Sequence, residues 1–264
     1  MLTIVIVSYN SFTTITHCLD ELITSKQFSI MIVDNASPDG SGQKLALKYP
    51  NITLIQLPEN LGYGSAANRA LEHIDTKYSL LLNPDVLANS QLINNLLSSA
   101  CSLKNFTVLS PATEKADFVK KGVVDKDWTL GAAMLFNMEK LRKVGFFDEN
   151  FFLFFEETDL CYRIKSIGEK ILLDSDIYIE HLEGQSSTPS NKVEYLKYWH
   201  YGWSEVYFND KHDLNKGKKN SLRVVLTCLR KYLFTLSISK KASYKARFLG
   251  GLSYLRGFSS NKRL

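Results

Sequence analysis

The chain has 264 residues and a net charge of +5, with 45% apolar and 22% charged residues. This composition excludes a disordered or collagen-like chain and allows one large folded domain, or one domain with an extension. The four cysteines, Cys18, Cys101, Cys161 and Cys228, are widely spaced and form no CxxC pair, so they read as reduced, buried thiols in a cytosolic setting.

The amino terminus, MLTIVIVSYN, has no basic leader and no cleavage site, and reads as a strand rather than a signal peptide. Residues 3–8 (TIVIVS) form a continuous apolar run, the pattern of a strand buried on both faces. A helix is predicted over 12–24, a strand over Ser29–Asp34, a helix over 41–49, a strand over Thr53–Gln56, a helix over 64–74 and a strand over 78–83. Strands alternating with helices at short intervals imply parallel pairing in a layered α/β sheet. Ligands of such sheets sit at the carboxyl ends of the strands. Three of the four predicted strands end there in polar residues, Ser8-Tyr9-Asn10, Asp34-Asn35 and Asn83-Pro84-Asp85, which points to a nucleotide-type site. Beyond residue 105 the pattern changes. Residues 115–126 read as a polar, mobile loop, 128–136 as a strand and Met138–Val144 as a short helix. Helix 158–166 follows, then short strands over 170–173 and 177–180, and helices over 193–209 and 222–237.

The richest segment is 145–163, GFFDENFFLFFEETDLCYR, which places Asp148, Glu149, Glu156, Glu157 and Asp159 among six phenylalanines. Burying a charge is costly unless it is paired or neutralised, so such a cluster marks a site where a carboxylate works as a base or faces a cation. The same acids also suit a helix start, where the helix dipole favours negative charge. After the second strand, Asp34, Asn35, Ser37 and Asp39 lie in VDNASPDGS. A carboxylate there can accept from a nucleobase or ribose, and the same residues are turn formers. Asn60-Leu61-Gly62-Tyr63-Gly64 precedes a helix carrying Asn68 and Arg69. Its small residues allow close backbone approach to a phosphate, although the run is neither a Walker loop nor GxGxxG. Pro84 stops its strand and Asp85 projects from the sheet edge, suited to a hard divalent cation that bridges phosphates through one or two carboxylates. His181 ends IYIEH before a Gly/Ser loop and is a candidate second ligand; a lone histidine there also serves structure.

In order along the chain, IVIVSYN, VDNASPDGS, ENLGYGSAAN, LLLNPD, GAAMLF, VGFFDENFFLFFEETDLCYRIKSIG and IEHLEGQSS resemble the family 2 glycosyltransferases, over about residues 1–190. The likeness is to the bacterial rhamnosyltransferase-like branch of cell-surface polysaccharide assembly. The resemblance implies a GT-A fold, a Rossmann-like mixed or parallel central sheet flanked by helices, and inverting transfer from a nucleotide-activated sugar to a lipid-linked glycan acceptor. It implies a catalytic domain over 1–213, with a nucleotide-sugar half to about 105 and an acceptor and base half from 106. Ser8 and Asn10 are then expected beside the nucleotide and Asp34 on the base, with Asn35, Asn60, Gly62, Asn68 and Asn83 in the donor pocket. Asp85 stands where the family's DxD ends, here with Asn83 in place of its first acid, and His181 completes a site for Mg²⁺ or Mn²⁺. The family has Glu-Asp where this chain has Glu156-Glu157, so the general base is Glu157 displaced by about 1.5 Å, one C–C bond, or Asp159. The implied donor is dTDP-rhamnose, with UDP-galactofuranose or another UDP-sugar as the alternative. The departures at residues 83 and 157 leave a reading of another class open, a catalytically silent nucleotide- or carbohydrate-binding partner. A nucleotidyltransferase is disfavoured, because SYNSFTT stands where its glycine- and arginine-rich phosphate loop would follow the first strand.

The charge is unevenly spread. Residues 1–213 carry all 27 acids and 19 of the 32 Lys and Arg, a balance of −8, whereas 214–264 carry 13 bases and no acid. Leu222, Val225, Leu226, Leu229, Leu233 and Leu236 recur there at helical spacing beside Arg223, Arg230 and Lys231. Interrupted by charge, the run is too short to span a bilayer and suits a helix lying on an anionic membrane. The alternative is a helix packed on the catalytic domain with a solvated basic face. No recognised nucleic-acid motif accompanies the bases, so nucleic acid is not an expected partner. The expectation is a peripheral protein of the inner face of the cytoplasmic membrane, with 214–264 as a helical extension and 218–258 as its contact.

Overall fold

A computed structural model of the chain describes residues 2–114, 117, 121–182, 191–213 and 218–260. The first half runs β1 (Leu2–Ser8), α1 (Phe12–Cys18), α2 (Asp20–Thr24), β2 (Ser29–Asp34), α3 (Ser41–Lys48), β3 (Thr53–Gln56), α4 (Tyr63–Leu71), β4 (Tyr78–Leu82), β5 (Val86–Leu87) and α5 (Ser90–Ser102). There follow β6 (Val108–Ala112), β7 (Val123–Lys126), β8 (Ala133–Asn137), α6 (Met138–Val144), α7 (Glu156–Ser166), β9 (Ile171–Tyr178) and β10 (Glu180–His181). Three long helices end the chain: α8 (Asn191–Lys211), α9 (Lys218–Phe234) and α10 (Ile238–Leu255).

Two compact units result. The first comprises Met1–Leu61, Ser65–Phe147 and Leu160–Thr188. Its eight-stranded sheet has the order β3-β2-β1-β4-β8-β6-β9-β7. β1 lies parallel between β2 and β4, and all seven of its residues are buried. That is why its sequence reads as an unbroken apolar run instead of alternating. The parallel pairing expected of the sheet holds for β3-β2-β1-β4, while β8 runs antiparallel to both β4 and β6. The core comprises Ile4, Ile6, Ile32, Leu80, Leu82 and Leu135 from the strands with Ile15, Leu22, Ile93 and Leu96 from the helices.

Several elements differ from the sequence reading. The helix expected over 12–24 breaks at Leu19, which is buried with φ −125° between α1 and α2. Helix α5 was not foreseen, although Asn89 caps it by accepting from the Leu92 N–H at 2.9 Å and Ile93, Leu96 and Ala100 line its buried face. Within the stretch read as a polar loop, Val123–Lys126 forms β7 on the edge beside β9; residues 115, 116 and 118–120 lie outside the described residues. The strand expected over 128–136 begins only at Ala133, as β8, and the two short strands expected over 170–173 and 177–180 run together as β9 to Tyr178, with Glu180 in β10. Cys18, Cys161 and Cys228 are buried free thiols as expected, but Cys101 is exposed.

The second unit comprises Gly62–Gly64, Asp148–Asp159 and Pro189–Leu264. Here α8 and α10 meet backbone against backbone. A Cβ on Gly202 of α8 would lie 2.1 Å from the Arg247 carbonyl oxygen, and one on Gly250 of α10 would lie 1.9 Å from that of Trp199. Trp199 and Trp203 are buried beside Ala246, and the Trp203 indole N–H donates to Phe258 O at 2.9 Å. Within this unit α8 packs with the helices of the basic extension, whose start was expected at residue 214. Small residues let the two helices approach closely, and the tryptophans remove apolar area from water that a detached tail would leave exposed.

Candidate active site

In the first unit the sheet order reverses direction between β1 and β4, so the carboxyl ends of these strands flank a topological switch point, the usual ligand crevice of such sheets. Ser8 closes β1 and is fully buried, its hydroxyl without a hydrogen-bond partner. Beyond it Asn10 takes the left-handed conformation (φ 54°), which asparagine tolerates, and its N–H donates to Ser37 Oγ at 2.9 Å. The Ser37 hydroxyl in turn donates to Asp34 Oδ1 at 2.5 Å. Gln56 Nε2 donates to the other oxygen of Asp34, also at 2.5 Å. Asp34 is thus a buried, aimed carboxylate with lone pairs to spare beyond these bonds. Its neighbour Asn35 donates from Nδ2 to Asn60 Oδ1 at 2.9 Å and accepts the Leu61 N–H at 2.8 Å. Two residues expected in one pocket, 25 positions apart, are joined directly. Asp39 instead ties down the start of α3, accepting from the Ser41 N–H and hydroxyl at 2.9 and 2.8 Å.

Asn83 directly follows β4 with its N–H on Ala132 O at 2.9 Å, and Asp85 comes two residues on, 1% exposed. The two-residue ribbon of β5 against β10 sets His181 opposite Val86. The Leu182 N–H donates to Asp85 O at 2.9 Å, and the His181 Nε2 lies 3.3 Å from Asp85 Oδ1. A ribbon that the sequence did not reveal thus brings together the two residues expected to share a metal. Among the described residues no group of three or more His, Cys, Asp or Glu side chains could hold an ion. A carboxylate with an imidazole still fits Mg²⁺ or Mn²⁺, cations that keep waters and phosphate oxygens for most of their shell.

Asn68 acts locally in the first unit. Its amide donates to Phe147 O at 2.9 Å and accepts the Phe147 N–H at 3.1 Å, fixing the chain as it enters the acidic segment. Arg163 does the same from α7, donating to Val144 O, Gly145 O and Phe146 O.

In the second unit Gly62 (φ +87°) presses on the acidic segment itself, for a Cβ there would lie 2.1 Å from Phe152 O. Phe154 and Phe155 are both left-handed, with φ 67° and 70°, an uncommon pair of strained aromatic residues directly before the acids. Glu156 is buried, with Oε2 lacking a hydrogen-bond partner. Burial, and then the charge of Glu157, push its carboxyl well above the usual range. Burial raises Glu157 as well, against the helix-start N–H groups that lower it. Asp159 differs. It is fully buried, its Oδ1 accepts from Lys211 Nζ at 2.5 Å, and the His212 Nε2 lies 2.7 Å away. Lys211 also donates to Asp148, as does the Tyr207 hydroxyl. Burial pushes the Asp148 carboxyl up, but the bonds from Lys211, Asn150 and Tyr207 outweigh it and hold it at about 2. Sequence reasoning missed Lys211 and His212 because their acids lie more than 50 residues away, with no local pattern linking them.

The sheet order and the flanking helices are those of GT-A glycosyltransferases. The chain resembles a mannosyltransferase from Pyrobaculum calidifontis, solved with GDP-Man and Mn²⁺, at a TM-score of 0.61 and 18% identity, over 100% of this chain and 76% of the other. It likewise resembles S. aureus TarS 1–349 in complex with UDP-GlcNAc, at 0.59 and 17%, over 97% and 92%. Glycosyl transferase family 2 matches residues 3–168, and the chain belongs to that family. Among curated relatives, an N-acetylglucosaminyl-diphospho-decaprenol L-rhamnosyltransferase of Mycobacterium tuberculosis is 24% identical over 56% of this chain and 64% of its own. The match thus spans less than two thirds of that relative. A low-salt glycan biosynthesis hexosyltransferase, Agl10 of Haloferax volcanii, is 24% identical over 66% of each.

Proposed function

We propose that this chain is an inverting, metal-dependent glycosyltransferase that moves rhamnose from dTDP-rhamnose to a lipid-linked glycan in cell-surface polysaccharide assembly. The observation that carries the reading is the Asp85–His181 pair at the end of β4, in a chain whose curated relative is named for rhamnosyl transfer to a diphospho-decaprenol acceptor. Asp34 and Asn35 hold the base and ribose end of the donor, and Asp85 and His181 hold Mg²⁺ or Mn²⁺. The cation, when bound, offers Lewis-acid stabilisation of the leaving nucleoside diphosphate. Glu157 is the general base and receives the proton of the acceptor hydroxyl as that oxygen attacks the anomeric carbon. Its raised pKa suits that work, since a carboxylate of ordinary pKa is too weak a base near neutral pH. Asp159 is the weaker candidate because Lys211 and His212 already engage it. Inversion needs a single displacement, so no covalent sugar–enzyme intermediate forms.

The protein then works at the inner face of the cytoplasmic membrane, where exposed Leu233, Phe234, Leu236 and Ile238 and the bases of α9 and α10 meet an anionic surface. No helix among the described residues is long and apolar enough to cross a membrane. Incubation with dTDP-rhamnose, UDP-galactofuranose and other UDP-sugars, with Mg²⁺ or Mn²⁺ and a polyprenyl-diphosphate N-acetylglucosamine acceptor, tests the assignment. Rhamnosyl product is expected; product from a UDP-sugar alone overturns the donor. Nucleotide binding without turnover, unchanged by Glu157→Asp, would favour the catalytically silent alternative.

A further inference from the structure

The helical unit contains a cavity of about 310 Å³ to which the transfer reaction assigns no task. Its lining includes Glu205 of α8, Arg223, Thr227 and Lys231 of α9, and Tyr244 and Arg247 of α10. Three cations face one acid. Glu205 accepts from Arg247 Nη2 at 2.7 Å, and neither Arg223 nor Lys231 forms an ion pair among the described residues. Arg247 also lies over the Tyr201 ring, 4.2 Å from its centroid, and Lys231 sits 5.6 Å from that of Tyr244, so two of the cations have fixed positions. Burial pushes the Cys228 thiol up, so the sulfur on this wall adds no negative charge at neutral pH. An excess of cationic donors around a small cavity matches a compact, multiply accepting anion, above all a phosphate. The volume is at the low end for small-molecule sites, about 300–1,000 Å³.

The exposed apolar residues of the same helix and of the chain after it distinguish one source of phosphate from another. Leu222 and Leu226 flank Arg223 on α9 and are 48% and 51% exposed, and Leu233, Phe234, Leu236 and Ile238 extend the apolar surface. A free phosphate ion gains nothing from such a surface, whereas a phosphate carrying acyl chains does. We propose that the cavity among α8, α9 and α10 is a headgroup pocket that takes the phosphate of one anionic phospholipid while the outward leucines of α9 enter the lipid. The inference rests on the membrane reading above and adds a saturable site to diffuse attraction.

The test compares two charge-matched double variants of the full chain, Arg223→Gln/Lys231→Gln in the pocket and Lys240→Gln/Lys245→Gln on exposed α10. Each is titrated with phosphatidylcholine vesicles with and without phosphatidylglycerol, and the unsubstituted chain also with inorganic phosphate. The pocket variant is expected to lose about tenfold more vesicle affinity than the α10 variant, because it removes oriented charge-assisted hydrogen bonds as well as charge. Equal losses overturn the pocket and leave the membrane reading standing. No binding to phosphatidylglycerol vesicles at low salt overturns both. Saturable binding of inorganic phosphate as tight as that of vesicles overturns the lipid assignment. Unchanged thermal melting of both variants is expected, since all four side chains are exposed or line open space.

Discussion

The carboxylates of Glu157 and Asp159 are two residues apart and differ in what surrounds them: burial raises the first, and Lys211 and His212 hold the second. Glu157→Gln is therefore expected to cut turnover by about 10²–10⁴-fold, with donor affinity by calorimetry nearly unchanged. Asp159→Asn should act mainly on stability, since breaking a buried pair costs about 3–5 kcal/mol. Loss of turnover in Asp159→Asn with an unshifted melting temperature, and an active Glu157→Gln, reverses the assignment. As the proposed base Glu157 works ionised, so turnover should fall as pH falls through its raised pKa, and the acid limb of the kcat profile should lie above 4.5. Glu156 has the same sign in stability. Its folded pKa exceeds the unfolded one, so the folded state holds the extra proton and stability drops as pH rises above 4.5 towards the folded value. Glu156→Gln should then melt higher than the unsubstituted protein at pH 8 and close to it at pH 4. Asp148, held at about 2 against a usual 3.8, is the opposite case. Its contribution is present above pH 3.8 and is lost as pH falls towards 2. For the proposed metal pair, Asp85→Ala and His181→Ala should each weaken Mn²⁺-dependent donor binding while metal-independent nucleotide binding persists.

Among the elements, the crossing of α8 and α10 depends on the absence of two side chains. Alanine is the better helix former by about 1 kcal/mol, so Gly202→Ala or Gly250→Ala in a loosely packed pair would stabilise the protein. Contacts of 2.1 and 1.9 Å to backbone oxygens instead require the helices to separate. The expected net effect is a loss of about 1–3 kcal/mol, read by urea unfolding; a gain would mean that the helices are not in register at these glycines. Gly62 makes the same demand on Phe152 and adds a positive φ, so Gly62→Ala should disturb the acidic segment and lower turnover together with stability. The ribbon of β5 and β10 has only two residues a side, yet it fixes which side chain Asp85 meets.

At the scale of the molecule, packing ties the extension to α8, and its charge suits the proposed membrane contact. Its inner residues, Val225, Cys228, Ala246 and Gly250, are buried, while Leu233, Phe234, Leu236 and Ile238 face outward. Deleting 214–264 is consequently expected to expose Trp199, Trp203 and Val206 of α8 and to yield an unstable or aggregating protein, measured by soluble yield and melting temperature. A clean release from membrane with activity intact would show that the packing contributes little. Flotation with anionic liposomes at low and at high salt is the appropriate assay for the full chain. Binding should weaken at high salt, because the electrostatic part is screened within about 10 Å at 0.1 M.

The sequence by itself determined what depends on neighbours along the chain. The run TIVIVS and the alternation after it specified β1, β2, β3 and β4, and polar residues at their ends pointed to the candidate site, because strand burial and turn chemistry are local. The acids of 145–163 stood out for the same reason, by composition. Local signals were weaker for α5, whose cap at Asn89 is a single residue, and for edge strand β7, whose alternating exposure resembles a loop. What only the tertiary structure decided were the partners at long separation: His181 beside Asp85, Asn60 on Asn35, Lys211 and His212 on Asp159, and Gly202 against Arg247. Strand register fixes the first and helix crossing the last, and neither leaves a periodic trace in the residues that meet.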